Sequence, residues 1–174
     1  MKASTNVISD PNTVLSRASE MLDRGQAQAA LDVVDSCGQS SRVIQNAKAV
    51  CLMRLGRNEL AVKILRDLVF PGGAFAISDE TPTVFRSNYA TSLLLLDNIV
   101  TGLQILGHIP DRQHPAVVQL KSEVRNWKAS MSWLARIGLV IGITPRKPFR
   151  MDSAPGALLI PSSDESPKPA EHAA

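Results

Sequence analysis

The sequence contains few of the residues that usually carry catalytic or metal-binding chemistry. It has only two cysteines and three histidines in 174 residues. Cys37 and Cys51 form no C-x-x-C pair and have no histidine at zinc-ligand spacing, so we interpret both as small core hydrophobes. His108, His114 and His172 lack the neighbouring groups that acid–base or nucleophilic catalysis requires. We therefore expect no metal site.

The common enzyme motifs are also missing. The chain has no G-x-S-x-G, no phosphate-binding glycine-rich loop and no H-E-x-x-H. Acidic pairs such as Asp32 with Asp35 have the pattern of solvated helix faces and capping groups. These absences predict a non-enzymatic protein that uses no cofactor.

Long hydrophobic runs and a strong charge imbalance are lacking as well. No segment reaches the roughly 18 uninterrupted apolar residues of a membrane-spanning helix, and Arg136 interrupts the nearest one, MSWLARIGLVIGI. The N-terminus has no apolar core of a secretory signal, which favours a cytoplasmic location. The net charge of +3 is low for a dedicated nucleic-acid-binding protein, so we do not expect a nucleic-acid partner.

What the sequence does contain is apolar residues at helical spacing, arranged as pairs of helices around a central turn. The predicted helical hairpins span residues 11–38, 41–69 and 81–109. Gly25 and Gly56 mark the first two turns, and Asp97-Asn98 takes the place of glycine in the third, where Asn tolerates the left-handed conformation. We expect residues 1–10 to be a flexible N-terminus and residues 70–80 an insertion loop.

Small and large residues recur at the same distance from each turn. These positions are Ala18, Ala49 and Ala90 seven residues before it; Ala30, Ala61 and Gly102 five residues after it; and Val34, Leu65 and Leu106 nine residues after it. Two helices that cross closely need small residues at the contact and bulky residues beside it. The register therefore predicts an all-α fold built from closely packed helix pairs.

Over residues 11–110 this register resembles the tetratricopeptide repeat, whose period is about 34 residues. The turns here are 31 and 41 residues apart, and the bulky aromatic residues usual in the first helix are mostly missing. The resemblance implies a short α-solenoid of about three repeats, in which the first helices line a concave groove that binds a peptide or partner helix.

Carried over position by position, the resemblance nominates a set of groove residues. They are Ser19, Asn46, Val50, Met53, Asn88, Thr91 and Leu95. Asn46 and Asn88 are of most interest, because a carboxamide can both donate to and accept from an extended peptide backbone. The carboxylate clamp of some family members is incomplete here, since the first unit supplies no lysine. We do not transfer that specificity.

Residues 111–143 read as one C-terminal capping helix that begins near Pro115 and covers the last repeat. An alternative reading gives this region an amphipathic, basic patch for a membrane surface or a partner protein. The residues of the predicted patch are Trp127, Trp133, Arg136, Arg146 and Lys147.

The last part of the chain, residues 144–174, is rich in proline and is predicted to be largely disordered. Within it, the apolar island GALLIP at residues 156–161 has two interpretations, folding back onto the repeats or acting as a short docking motif. We favour folding back. Whether the tail would then occupy the groove is left open.

These patterns predict a protein-interaction scaffold, adaptor or chaperone-like protein that binds a protein or peptide partner in its groove. The alternative is a peripheral membrane or complex-assembly component attached through the basic, tryptophan-containing C-terminal segment. A membrane surface is the less favoured partner, because only a fraction of such basic amphipathic segments bind lipid.

Overall fold

The computed structural model describes residues 10–159, and all regular structure within that range is helical, as predicted. The helices are α1 Pro11–Asp23, α2 Ala27–Asp35, α3 Arg42–Arg54, α4 Asn58–Val69, α5 Thr83–Leu95, α6 Ile99–Gly107, α7 Pro115–Ala129 and α8 Trp133–Val140. Among the first six, α1 contacts α2, α3 contacts α4 and α5 contacts α6. Apart from Asp10, the N-terminal segment predicted to be flexible lies outside the described residues.

Local sequence signals explain where the helices begin. The Asp10 carboxylate accepts hydrogen bonds from the backbone N–H groups of Asn12 and Thr13, which caps α1. The Thr13 hydroxyl donates to the same carboxylate at 2.8 Å and, together with these N–H groups, lowers the pKa of Asp10. The Ser41 hydroxyl caps α3 in the same way by accepting from the Ile44 N–H. Side chains therefore satisfy amide donors that the first helical turns leave free.

The turns inside the pairs adopt the left-handed conformation that the sequence predicts. Gly25 and Gly56 have φ of 74° and 73°, and Asp97 occupies the third turn with φ of 57°. Asn98, the residue expected to tolerate this conformation, instead has a negative φ of −81°. Asp97 thus carries the left-handed turn itself, as aspartate does more readily than most residues.

The helices bury two adjoining hydrophobic clusters. The first is formed by α1 to α4 and one face of α5, and the second by α5, α6 and α7. Ala18, Ala49 and Ala90 are all fully buried. A Cβ added to Gly102 would lie 2.8 Å from Leu94 Cγ, too close for any side chain. The small residues therefore stand where helices approach closely.

The connection from α4 to α5 contains a short 3-10 turn at Pro71–Gly73 and no longer helix. Arg86 of α5 fixes its end by donating to the carbonyl oxygens of Ser78 and Asp79 at 2.8 and 3.1 Å. The same guanidinium donates to the Thr81 carbonyl at 3.0 Å. The predicted insertion is thus tied to the helix that follows it.

The prediction of one capping helix over residues 111–143 is wrong. The chain forms α7 and α8, separated by Ser130, Met131 and Ser132. The Ser130 hydroxyl donates to the Trp127 carbonyl at 2.6 Å, and the Ser132 hydroxyl accepts from the Ala135 N–H at 3.4 Å. Serine side chains compete with backbone groups for hydrogen bonds, so this pair ends one helix and caps the next.

Candidate functional site

The segment after α8 returns across the helices instead of leaving them. Residues 144–159 form no helix, but they contact α7, α5 and α3 in turn. The predicted folding back is confirmed for residues 156–159, and the predicted disorder is wrong for residues 144–159. Ile160, Pro161 and the remaining tail to residue 174 lie outside the described residues.

The first attachment of this segment is Phe149, which is buried against Trp127. Their rings meet edge to face, with centroids 5.6 Å apart, and the Trp127 indole N–H donates to the Pro148 carbonyl at 3.1 Å. The Phe149 N–H donates to the Asp97 carboxylate at 3.0 Å. Trp127 was predicted to belong to a surface patch. That prediction is wrong, because Phe149 covers its ring.

The second attachment is Glu123 of α7, a largely buried carboxylate. It accepts from the Ser153 hydroxyl at 2.6 Å, from the Ser153 N–H at 3.2 Å and from the Asp152 N–H at 3.3 Å. The Ser153 hydroxyl is the main cause that holds the pKa of Glu123 below its ordinary value, against the opposing effect of burial. Glu123 is therefore ionised when it binds the tail.

The third attachment is a buried pair of asparagines that binds the Ala157 backbone. Asn88 of α5 accepts from the Ala157 N–H at 2.9 Å and donates to the Ala157 carbonyl at 2.8 Å. Asn46 of α3 donates to the same carbonyl at 3.3 Å, and its own oxygen accepts from Asn88 at 2.8 Å. The asparagines thus satisfy both backbone groups of one residue in the bound segment.

Glycine at position 156 is favoured by a left-handed backbone conformation in a crowded place. Gly156 has φ of 82°, and a Cβ there would lie 2.6 Å from Met53 Cε and 3.1 Å from Val50 Cγ2. Arg54 donates from Nε to the Pro155 carbonyl at 3.4 Å. Leu158 and Leu159, which follow Ala157, pack against the first hydrophobic cluster. We call the surface formed by Asn46, Val50, Met53, Arg54 and Asn88 the tail-binding surface.

Four residues predicted for the groove, Asn46, Val50, Met53 and Asn88, therefore lie in contact with the returning segment. Thr91 lies beside it, since it lines a small cleft with Ala154 and Ala157, while its hydroxyl donates to the Ser87 carbonyl.

Two other predicted groove residues lie apart from the tail. Leu95 is half-buried and packs against both hydrophobic clusters. Ser19 is half-buried on α1 and makes no hydrogen bond to the described part of the tail. The three predicted first helices thus contribute unequally, with α3 and α5 supplying the contacts.

Sequence reasoning missed Glu123 and Asp97, although each left a signal. Glu123 lies among the apolar positions of α7, next to Val124 and four residues before Trp127, where a solvated carboxylate is unexpected. Asp97 occupies a left-handed turn position that glycine fills in the two preceding hairpins. Both carboxylates face the returning segment.

The remaining patch residues lie around α8. Trp133 is exposed at the start of this helix. Arg136 donates to the Ala129 carbonyl at 2.8 Å, and Lys147 donates to the Ser130 hydroxyl at 2.8 Å. Arg146 is exposed and forms no hydrogen bond or ion pair with any described residue.

The described residues hold no cluster of three or more His, Cys, Asp or Glu side chains suited to a metal ion. Burial raises the pKa of the Cys51 thiol to about 11, so the reactive thiolate is scarce at neutral pH. None of the helices within residues 10–159 combines the length and hydrophobicity needed to span a bilayer.

Comparison with known proteins gives no match to a family model, to a curated protein or to a solved structure.

Proposed function

We propose that this protein is a non-enzymatic interaction scaffold of the tetratricopeptide-repeat type, and that its tail-binding surface binds extended peptide segments. The observation that supports this most directly is the reciprocal pair of hydrogen bonds between the Asn88 carboxamide and the Ala157 backbone. A side chain that reads only backbone groups gives affinity to an extended chain without demanding one sequence.

The contacts beside this pair supply selectivity. The left-handed φ of 82° favours glycine at the position before Ala157, where a side chain would also have to displace the Met53 methyl group, and the two positions after it are apolar. The bound pattern is therefore glycine, a small residue and then two apolar residues. A partner peptide for this surface carries the same pattern.

The chain's own residues 153–159 are the first occupant of the surface in this proposal. A partner peptide must displace them, so the protein binds its partner only as strongly as the difference between the two interactions allows. The tail then acts as an internal competitor and limits binding to segments that fit better than residues 153–159.

A labelled synthetic peptide of residues 150–161, added to the full-length chain, tests the proposal by fluorescence anisotropy. The full-length Gly156→Ala variant has a weakened internal segment, so we expect it to bind the peptide more tightly than the wild-type chain. Adding Asn88→Ala to this variant removes the backbone contacts and should abolish the binding. A peptide with the same Gly156→Ala change should not bind.

The matched control variant is Gly142→Ala, since Gly142 has a similar φ of 86° but no atom within 4 Å of an added Cβ. This variant should behave like the wild-type chain. The proposal would be contradicted if the wild-type chain, the Gly156→Ala variant and the Gly156→Ala, Asn88→Ala double variant all bound the peptide equally.

A further inference from the structure

Helix α8 and the turn after it expose an unusual amount of apolar side chain. No residue of α8 is buried. The large apolar residues of this region are each between 52% and 86% exposed: Trp133, Leu134, Ile137, Val140, Ile141 and Ile143. We call this set the α8 patch. In the rest of the described chain only four large apolar residues are exposed, and at most two of them, Leu60 and Leu96, lie together, so the concentration at α8 marks an interaction surface.

The charged residues of the segment that carries the α8 patch are all basic. Between Glu123 and Asp152 the sequence has six basic residues and no acidic one, whereas the whole chain has a net charge of only +3. The six are Arg125, Lys128, Arg136, Arg146, Lys147 and Arg150. Two of them, Lys147 and Arg150, line one cavity together with Glu123 and Asp152, but no salt bridge among the described residues pairs any of the six.

We propose that the α8 patch docks on the surface of a membrane that contains anionic phospholipid. An eight-residue helix is about 12 Å long, far less than the roughly 30 Å hydrocarbon core, so α8 would lie in the plane of the interface. There the apolar side chains enter the acyl region while the surrounding arginines and lysines meet phosphate groups. Trp133 has the amphipathic ring that favours this depth.

Charge decides between a lipid surface and a second copy of the chain. A symmetric contact through α8 would bring two sets of basic residues together, and the segment offers no acidic residue to pair with them. An anionic bilayer supplies both the apolar depth and the negative charge that the patch lacks. This surface is separate from the tail-binding surface, so the inference does not depend on the proposed function.

Vesicle flotation of the full-length chain tests this inference, using phosphatidylcholine vesicles with and without phosphatidylglycerol. We expect binding to the anionic vesicles, little binding to the neutral ones, and release as salt is added. The double variant Leu134→Ser with Ile137→Ser should lower the partition coefficient at least about tenfold, and so should Arg146→Gln with Arg150→Gln. All four side chains are exposed, so the fold should survive, which circular dichroism checks.

The matched control variant is Leu60→Ser with Lys63→Gln, which removes one exposed apolar residue and one exposed cation from α4. It should bind vesicles as the wild type does. Tryptophan fluorescence gives an independent readout: vesicle binding should shift the emission of exposed Trp133 to shorter wavelength. The Trp133→Phe variant should lose this shift, because Trp127 is already buried.

Failure of the wild-type chain to bind anionic vesicles would overturn the inference. Sedimentation equilibrium would then distinguish a self-association surface, in which Leu134→Ser with Ile137→Ser disperses a dimer, from a surface for another protein. The inference would also be overturned if the α8 substitutions left vesicle binding unchanged, or if the chain bound neutral and anionic vesicles equally.

Discussion

Asn88 and the backbone of Ala157, which are 69 residues apart in the chain, exchange two hydrogen bonds of 2.8 and 2.9 Å. Asn88 is almost fully buried with the tail in place, so water competes little for these two hydrogen bonds while the tail is docked. The tail also needs Asn88, because its Ala157 N–H has no other acceptor among the described residues. The Asn88 carboxamide and the Ala157 backbone thus satisfy each other's hydrogen-bonding groups.

Replacing Asn88 with alanine should therefore weaken tail docking by about 1–3 kcal/mol, the sum of two ordinary hydrogen bonds. Hydrogen–deuterium exchange should show faster exchange for residues 153–159 and little change in α1 and α2. Ser19→Ala is the control, since Ser19 was predicted to share this site but makes no hydrogen bond to the described tail. Unchanged exchange of residues 153–159 in Asn88→Ala would refute the assigned role.

Acid should loosen the tail through Glu123. The Ser153 hydroxyl, with the backbone N–H groups of residues 152 and 153, holds the pKa of docked Glu123 below its ordinary value of 4.5. A lowered pKa means that docking binds the ionised form. The stabilisation is thus complete above about pH 4.5 and is lost as the pH falls through the docked-state pKa.

The amide resonance of Ser153, followed by NMR as the pH is lowered, should report this transition. The Glu123→Gln variant should dock more weakly at neutral pH and should lose the pH-dependent change. An identical acid transition in both proteins would assign it to another group.

The close approach of α5 and α6 should make Gly102 intolerant of any side chain. In Gly102→Ala the new Cβ would lie 2.8 Å from Leu94 Cγ and 3.2 Å from the Leu94 backbone nitrogen, which forces the helices apart. We expect a loss of about 1–3 kcal/mol in the free energy of unfolding, measured by urea denaturation.

Gly107→Ala provides the matched comparison at the end of the same helix, since a Cβ there meets no atom within 4 Å. That variant should be as stable as the wild type or slightly more stable. Equal destabilisation by both changes would point to backbone effects instead of the Leu94 contact.

The two thiols should differ in reactivity. Cys51 is fully buried and burial raises its pKa to about 11, whereas Cys37 is half-buried. With a disulfide reagent at pH 8, we expect one thiol to react in the folded chain and the second only after urea unfolding. Cys37→Ser should remove the fast phase, and its persistence in that variant would show that Cys51 is accessible.

Much of the helical core could be predicted from the sequence because its signals are local. Apolar residues at helical spacing and turn residues such as Gly25 predicted the paired helices, and the recurring alanines predicted the buried small positions. Asn46 and Asn88 could be nominated because their register placed them on first helices, and they contact the returning tail.

The parts that were missed depend on contacts between distant residues. The apolar spacing continues past Ser130, so it could not reveal that serine hydroxyls divide the segment into α7 and α8. The partners of Trp127 and Glu123 are more than 20 residues further along an extended segment that has no period of its own. Composition alone indicated disorder there, whereas burial of Phe149 and the hydrogen bonds to Glu123 and Asn88 attach the segment to the helices.

The position of Phe149 determines how a partner peptide could displace the tail from the tail-binding surface. Phe149 lies eight residues before Ala157, so a segment that detaches from the asparagines stays within about 27 Å of them while this ring remains buried. Such a short linker keeps the effective concentration of the detached segment near the asparagines in the millimolar range. A weakly binding partner peptide at ordinary cellular concentration would not displace the segment. Efficient displacement requires an event that first frees Phe149 from Trp127.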